Sequence, residues 1–188
     1  MRLNLTLPTI FTLFRIVLLP VMVLVFYLPF RGANIVAAAI FIAAAITDWL
    51  DGWIARRYGL SSAFGEFLDP VADKLMVATT LFLLVQQNPT AVLAVTSAVI
   101  VGREISISAL REWMAEIGQR ARVRVAGVGK VKTIVQMVAL VVLLYQKDFE
   151  ELRWFHVGEG LLMLAAALTI WSAIVYVRAA WPVLRVRD

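Results

Sequence analysis

Six apolar runs, each close to the length of a bilayer crossing, govern what this chain can fold into. They cover about residues 10–30, 34–54, 70–87, 90–110, 128–146 and 156–180. A helix needs roughly 20 predominantly apolar residues to cross the hydrocarbon core, where every backbone N–H and C=O must be paired within the protein. The chain is 62% hydrophobic and only 16% charged, against about 25% charged in soluble domains. The expected fold is therefore all-α: a polytopic membrane protein of six transmembrane helices. Connections are short and no internal repeat is visible, so residues 1–188 read as a single membrane domain. The stretch "LNLTLPTIFTLFR" also permits a short N-terminal interfacial helix, because Pro8 suits a helix start and Arg15 can reach headgroups. It does not read as a cleaved signal peptide, having Arg15 within its apolar part and no small-residue cleavage site.

The basic residues orient the bundle. With both termini cytoplasmic, the outer loops hold only Arg31, Lys147 and Arg153 of the 18 Lys and Arg. The opposite orientation inverts that bias, against the positive-inside rule. The net charge of +5 then describes a cytoplasmic face suited to anionic headgroups or phosphorylated substrates. Nucleic acid is not an expected partner, since there is no separate basic domain or recognition motif. Without cysteine, neither disulfides nor thiolate metal sites are available. His156, beside Trp154 and Phe155, reads as an interfacial residue on the outer side. Ala37–Ala39 and Ala43–Ala45 read as small-residue packing between helices. The tail after Trp171 carries no specific signal.

Four aspartates stand against two of these apolar runs, where charge is costly. Asp48 and Asp51 are three residues apart, on one helical face at the inner end of the second span. Asp69 and Asp73 are four apart at the inner start of the third. Asp69-Pro70 fits an N-cap followed by proline at the first helical position, so the third helix is expected to begin there. Both pairs lie on the same side of the membrane, joined by residues 52–68. Four neighbouring carboxylates repel one another unless protonated or neutralised by cations. Oxygen ligands with no nearby His or Cys favour hard ions such as Mg2+ or Mn2+, and four carboxylates can hold two ions of the kind used in phosphoryl displacement. Gly52 allows close approach of a ligand, Ala55 is small on the adjoining face, Arg56 offers donors for phosphate, and Gly65 relieves a turn. Two other readings stay open at this point. One is an ion-pair network of Asp48 and Asp51 with Arg56 and Arg57, which leaves Asp69 and Asp73 unexplained. The other is a divalent-ion transporter, which predicts carboxylates near the midplane rather than at one face.

The pattern D-x2-D-G-x2-A-R-x8-G-x3-D-x3-D, met by Asp48, Asp51, Gly52, Ala55, Arg56, Gly65, Asp69 and Asp73, resembles the signature of the CDP-alcohol phosphatidyltransferases. The resemblance implies six transmembrane helices, a cytoplasm-facing site and a homodimer. It also implies transfer of a phosphatidyl group from a CDP-linked lipid to an alcohol, with release of CMP. Asp48, Asp51, Asp69 and Asp73 then correspond to ligands of two Mg2+ or Mn2+ ions, and Asp73 also to a general base. Gly52, Ala55, Arg56, Ser62 and Gly65 correspond to positions binding the CDP-lipid. "LPTIFTLFR" is similar to the family's N-terminal element, which places Pro8, Thr9 and Thr12 near the nucleotide, with Thr9 where asparagine is common.

The acceptor is read from "GREISISALREWMAEIGQRARVRVAGVGKVKT". Arg103, Arg111, Lys130 and Lys132 lie close to the spans and suit a phosphorylated acceptor. Arg120, Arg122 and Arg124 read as a basic loop facing lipid headgroups. "FLDPVADKLMV", "REISISALREWMAE" and "GKVKTIVQMVAL" resemble those members of the family that join CDP-diacylglycerol to sn-glycerol 3-phosphate. The resemblance thus implies phosphatidylglycerol phosphate as product and the bacterial cytoplasmic (inner) membrane as location. Inositol phosphate, serine or a second phospholipid are the other acceptors in view.

Overall fold

The computed structural model describes residues 6–59, 62–119, 127–145 and 151–184. All regular structure among them is helical: α1 (Leu7–Tyr27), α2 (Ala33–Tyr58), α3 (Ala63–Gln87), α4 (Ala91–Glu116), α5 (Gly127–Tyr145) and α6 (Glu151–Leu184). Four stretches, Leu7–Tyr27, Ala33–Tyr58, Ala91–Glu116 and Trp154–Pro182, are long and apolar enough to cross a membrane, and Val131–Tyr145 is a shorter apolar helix. Arg120, Arg122 and Arg124 lie outside the described residues, as does Lys147.

Two helix starts differ from the sequence expectation. Among the described residues no separate interfacial helix precedes the first span: α1 runs unbroken from Leu7, with Thr6 at its N-cap and Pro8 in its first turn. Proline there costs nothing, because its missing N–H has no intrahelical partner in any case. Likewise α3 begins at Ala63, and both Asp69 and Pro70 lie inside it. Ser62 is the N-cap, its hydroxyl accepting from the Gly65 N–H at 3.0 Å, so the helix is nucleated before the Asp69-Pro70 signal is reached. Asp69 and Asp73 are therefore one turn apart in continuous helix. The end of α2 follows the usual rule, with Gly59 in the left-handed region (φ 65) accepting the reversal that a Cβ would disfavour.

Helix α1 packs on both α2 and α3, α5 lies against α6 and α2, and α4 against α6 and α3. The shared core joins Met22 of α1, Phe41 and Ala44 of α2, Leu81 and Leu84 of α3, Leu93 and Ile100 of α4, Leu140 and Leu143 of α5, and Leu162 of α6. Ala37, Ala38 and Ala44 are buried, in keeping with small-residue packing, whereas Ala39 and Ala43 of the same series are exposed on the outer side of α2. The closest approach of α5 and α6 is at Gly158, where an added Cβ would stand 2.7 Å from Leu143 Cδ2. Large apolar side chains such as Leu24, Phe82, Val95 and Trp171 face outward, a surface suited to lipid rather than water. Trp49 and Trp53 belong to that exposed set and do not pack between helices.

Candidate active site

The site is built where α1, α2 and α3 meet. The N-terminal turns of α1 and α3 are tied by a hydrogen bond of 2.8 Å between the hydroxyls of Thr9 and Ser62. Gly65 makes this approach possible: a Cβ there would lie 2.9 Å from Thr9 Oγ1 and 3.1 Å from Ser62 Oγ. One turn further along α1, the buried Thr12 hydroxyl donates to Asp69 Oδ1. Thus Pro8, Thr9 and Thr12, all buried, belong to the stretch of α1 that meets Ser62, Gly65 and Asp69.

Arg15, the next residue on this face of α1, is the feature the sequence reading misplaced. It does not reach out to headgroups; its side chain is 2% exposed. Its guanidinium lies among three of the four aspartates. Nη1 donates to Asp73 and stands 3.1 Å from Asp48 Oδ1, while Nη2 donates to the buried Asp51. A planar fork of donors on a short tether can serve several carboxylates at once, which an ammonium does less well. The carboxylates also feel one another: Asp51 lies within electrostatic reach of Asp48 and Asp69, and Asp73 of Asp48 and Asp51. Asp48 and Asp73 remain partly exposed, at 42% and 40%, so this cluster has a buried side and an open side.

Arg56 of α2 is exposed, and its guanidinium lies over Gly52, where an added Cβ would meet Nη1 at 3.2 Å. Gly52 therefore lets the Arg56 guanidinium lie close over the helix surface next to Asp51.

The open side leads into a polar cavity of about 290 Å3. Asp48 of α2 and Asp73 and Lys74 of α3 line it, together with a mainly cationic wall of Arg103, Glu104 and Arg111 from α4 and Lys132 from α5. Arg103 is anchored by α6, donating to Ser172 Oγ at 2.5 Å with its guanidinium 5.8 Å from the centroid of the Tyr176 ring, a cation–π distance. Lys132 is buried and donates to Glu104 Oε1 at 3.2 Å. Three of the four expected acceptor-site cations thus share one cavity with two of the aspartates. The side chain of Lys130 lies outside the described part of the chain. The sequence reading did not find Glu104, Gln136 or Tyr176 as lining residues, nor Ser172 as the partner of Arg103, although α6 beyond Trp171 supplies two of these four.

Among the described residues, no group of three or more Asp, Glu, His or Cys is arranged to hold a metal ion. The guanidinium of Arg15 and the hydroxyl of Thr12 engage the carboxylates instead. The donor chemistry nonetheless fits a divalent ion: the ligands are all oxygens, they converge from two helices, and a cation already sits among them. For a metal to be held there, the carboxylates must turn from Arg15 toward it.

An apolar groove opens beside the aspartates between α2 and α5, lined by Phe41, Ile46, Trp49, Met137 and Val141. Met137 borders both the groove and the polar cavity.

Comparison with known proteins agrees with this arrangement. The chain is 50% identical over 174 residues to the CDP-diacylglycerol–glycerol-3-phosphate 3-phosphatidyltransferase of Salmonella choleraesuis (strain SC-B67), covering 92% of this chain and 93% of that protein. It is 52% identical over 179 residues to the protein of the same name from Yersinia pestis (strain Pestoides F), covering 95% and 96%. The CDP-alcohol phosphatidyltransferase pattern matches residues 5–171, and a match of that extent, with the aspartates gathered at one end of three packed helices, means that this chain belongs to the CDP-alcohol phosphatidyltransferase family.

Proposed function

We propose that this chain transfers the phosphatidyl group of CDP-diacylglycerol to sn-glycerol 3-phosphate, giving phosphatidylglycerol phosphate and CMP. The observation that carries the reading is a single cavity lined by Asp48 and Asp73 together with Arg103, Arg111 and Lys132. A small acceptor with a phosphate at one end and a primary hydroxyl at the other is matched to such a polarity. Its phosphate faces Arg103, Arg111 and Lys132, and its hydroxyl is presented to Asp73. The volume of about 290 Å3 sits at the lower edge of the range of about 300–1,000 Å3 usual for small-molecule sites, which disfavours a second phospholipid. Free inositol would leave these cations without an anion, and serine would offer them a single carboxylate in place of a phosphate.

Members of this family generally depend on divalent metal ions. Asp48, Asp51, Asp69 and Asp73 would hold two Mg2+ or Mn2+ ions, which supply charge neutralisation at the diphosphate and at the departing CMP. The chain's own residues do the rest. Gly52 and Arg56 admit and hold the cytidine diphosphate, with Thr9, Thr12 and Ser62 at its other edge. Asp73 takes the proton from the C1 hydroxyl of glycerol 3-phosphate as that oxygen attacks the lipid-linked phosphorus and the bond to CMP breaks. The acyl chains stay in the bilayer along the groove of Phe41, Trp49 and Val141. The protein works as a six-span homodimer in the bacterial inner membrane, with this site facing the cytoplasm.

The test is release of CMP by purified protein supplied with CDP-diacylglycerol and Mg2+, comparing glycerol 3-phosphate, inositol phosphate and serine. Glycerol 3-phosphate is expected to be preferred, and preference for either of the others rejects the acceptor. Asp73→Asn is expected to lower kcat by about 10²–10⁴-fold; near-normal turnover in that variant would remove Asp73 as the base.

A further inference from the structure

Helix α5 contributes two buried polar residues to the cavity one turn apart, Lys132 at 4% and Gln136 at 2% exposure, and spacing of four residues puts them on one face. Lys132 has an evident partner in Glu104. Gln136 does not: its side-chain carbonyl Oε1 is buried with no hydrogen-bond partner among the described residues. The residues that follow on the buried side of α5, Ala139, Leu140 and Leu143, are apolar core. A leucine or methionine at position 136 would continue that core, so packing gives no reason for an amide. Buried polar groups are almost always satisfied, and an unmet acceptor on a cavity wall calls for a donor from the cavity's contents. Gln136 lies one helical turn beyond the cationic wall at Lys132, and Asp73 lines the same cavity.

We propose that Gln136 is a specificity-determining residue whose side-chain carbonyl accepts a hydrogen bond from the secondary, C2 hydroxyl of the acceptor. This role rests on the acceptor reading above, in which the phosphate is held at Arg103, Arg111 and Lys132 and the primary hydroxyl meets Asp73. A three-carbon acceptor spanning those two points carries its middle hydroxyl within the cavity that Gln136 also lines. A site built to receive a hydroxyl rejects the analogue that lacks it, because the buried acceptor is then left unpaired.

The experiment compares glycerol 3-phosphate with 3-hydroxypropyl phosphate, which keeps the phosphate and the reacting primary hydroxyl and lacks only the C2 hydroxyl. CMP release is measured in detergent with CDP-diacylglycerol and Mg2+. The unsubstituted protein is expected to favour glycerol 3-phosphate in kcat/KM by roughly 10- to 100-fold, the range set by one unpaired buried group. In Gln136→Met and Gln136→Leu that preference is expected to shrink to about threefold or less, through KM for glycerol 3-phosphate. Equal use of the two acceptors by the unsubstituted protein overturns the role of Gln136, whether or not the variants fold. A full preference retained in either variant overturns it as well. No CMP release with either acceptor overturns the acceptor reading itself, a result distinct from the other two.

Discussion

Arg15 sets the electrostatics of the site as it stands. Taking Arg15 and Asp51 out of water is costly, and their attraction compensates only because the pairing is close and shared with Asp48 and Asp73. Removing one partner of such a buried pair typically costs about 3–5 kcal/mol. Arg15→Met is therefore expected to destabilise the metal-free protein by about that amount, since three carboxylates are left without their cation. The same variant should gain more stability from saturating Mn2+ than the unsubstituted protein does, because the ions no longer displace a guanidinium. Thermal unfolding in detergent, with EDTA and with Mn2+, reads both effects; equal stability in EDTA would show that the arginine carries no such burden. The sequence made the four aspartates legible because their spacing is fixed along two helices. It hid Arg15, because an arginine two turns into an apolar helix looks the same whether it reaches for headgroups or is buried. Only the packing of α1 on both α2 and α3 decides between the two.

At the level of elements, the helices could be read from apolar length, and the starts of α2, α4 and α5 to within a residue, but the start of α3 and the contacts between helices could not. Asp69-Pro70 is a sound helix-start signal that loses to Ser62 because Ser62 caps first and α1 holds that cap in place through Thr9. The contribution of α6 to the cationic wall was likewise illegible, since Ser172 and Tyr176 look like any polar-edged residues until α6 is laid against α4. The α5–α6 contact makes its own demand. Gly158 has Leu143 Cδ2 at 2.7 Å and Val142 Cγ1 at 3.3 Å from the position of a Cβ, whereas Gly160, two residues on, has nothing within 4 Å. Overpacking a filled core costs typically about 1–3 kcal/mol. Gly158→Val is expected to lose stability in that range, while Gly160→Ala is expected to be neutral or stabilising by up to about 1 kcal/mol through helix propensity. Parallel unfolding measurements would check the pair, and equal effects at both sites would mean that the helices do not meet at Gly158.

For the molecule as a whole, the placement of the cavity ties chemistry to one side of the membrane. The chain contains no cysteine, so a single introduced thiol reports its own side. Arg31, at the turn before α2, and Glu116, at the end of α4, are both exposed. In intact cells a membrane-impermeant maleimide is expected to label Arg31→Cys at once and Glu116→Cys only after the membrane is opened. The reverse pattern would put the aspartates on the outer face, away from cytoplasmic glycerol 3-phosphate. The expected orientation rests on charge bias, which depends on totals over loops rather than on any one contact.

The bridging of three helices by Arg15 also bears on biogenesis. An arginine deep in a lone transmembrane segment carries an insertion cost of about 2.5–3.5 kcal/mol, and α1 leaves the ribosome before any of its carboxylate partners. Relief comes first from α2, through Asp48 and Asp51, and then from α3, through Asp73. The α1–α2 hairpin is thus the smallest unit that can partition into lipid with its charge matched, and α3 joins it by ion pairing as much as by apolar contact. Nascent chains cut after α1 should slip back from the translocon more readily than chains cut after α2.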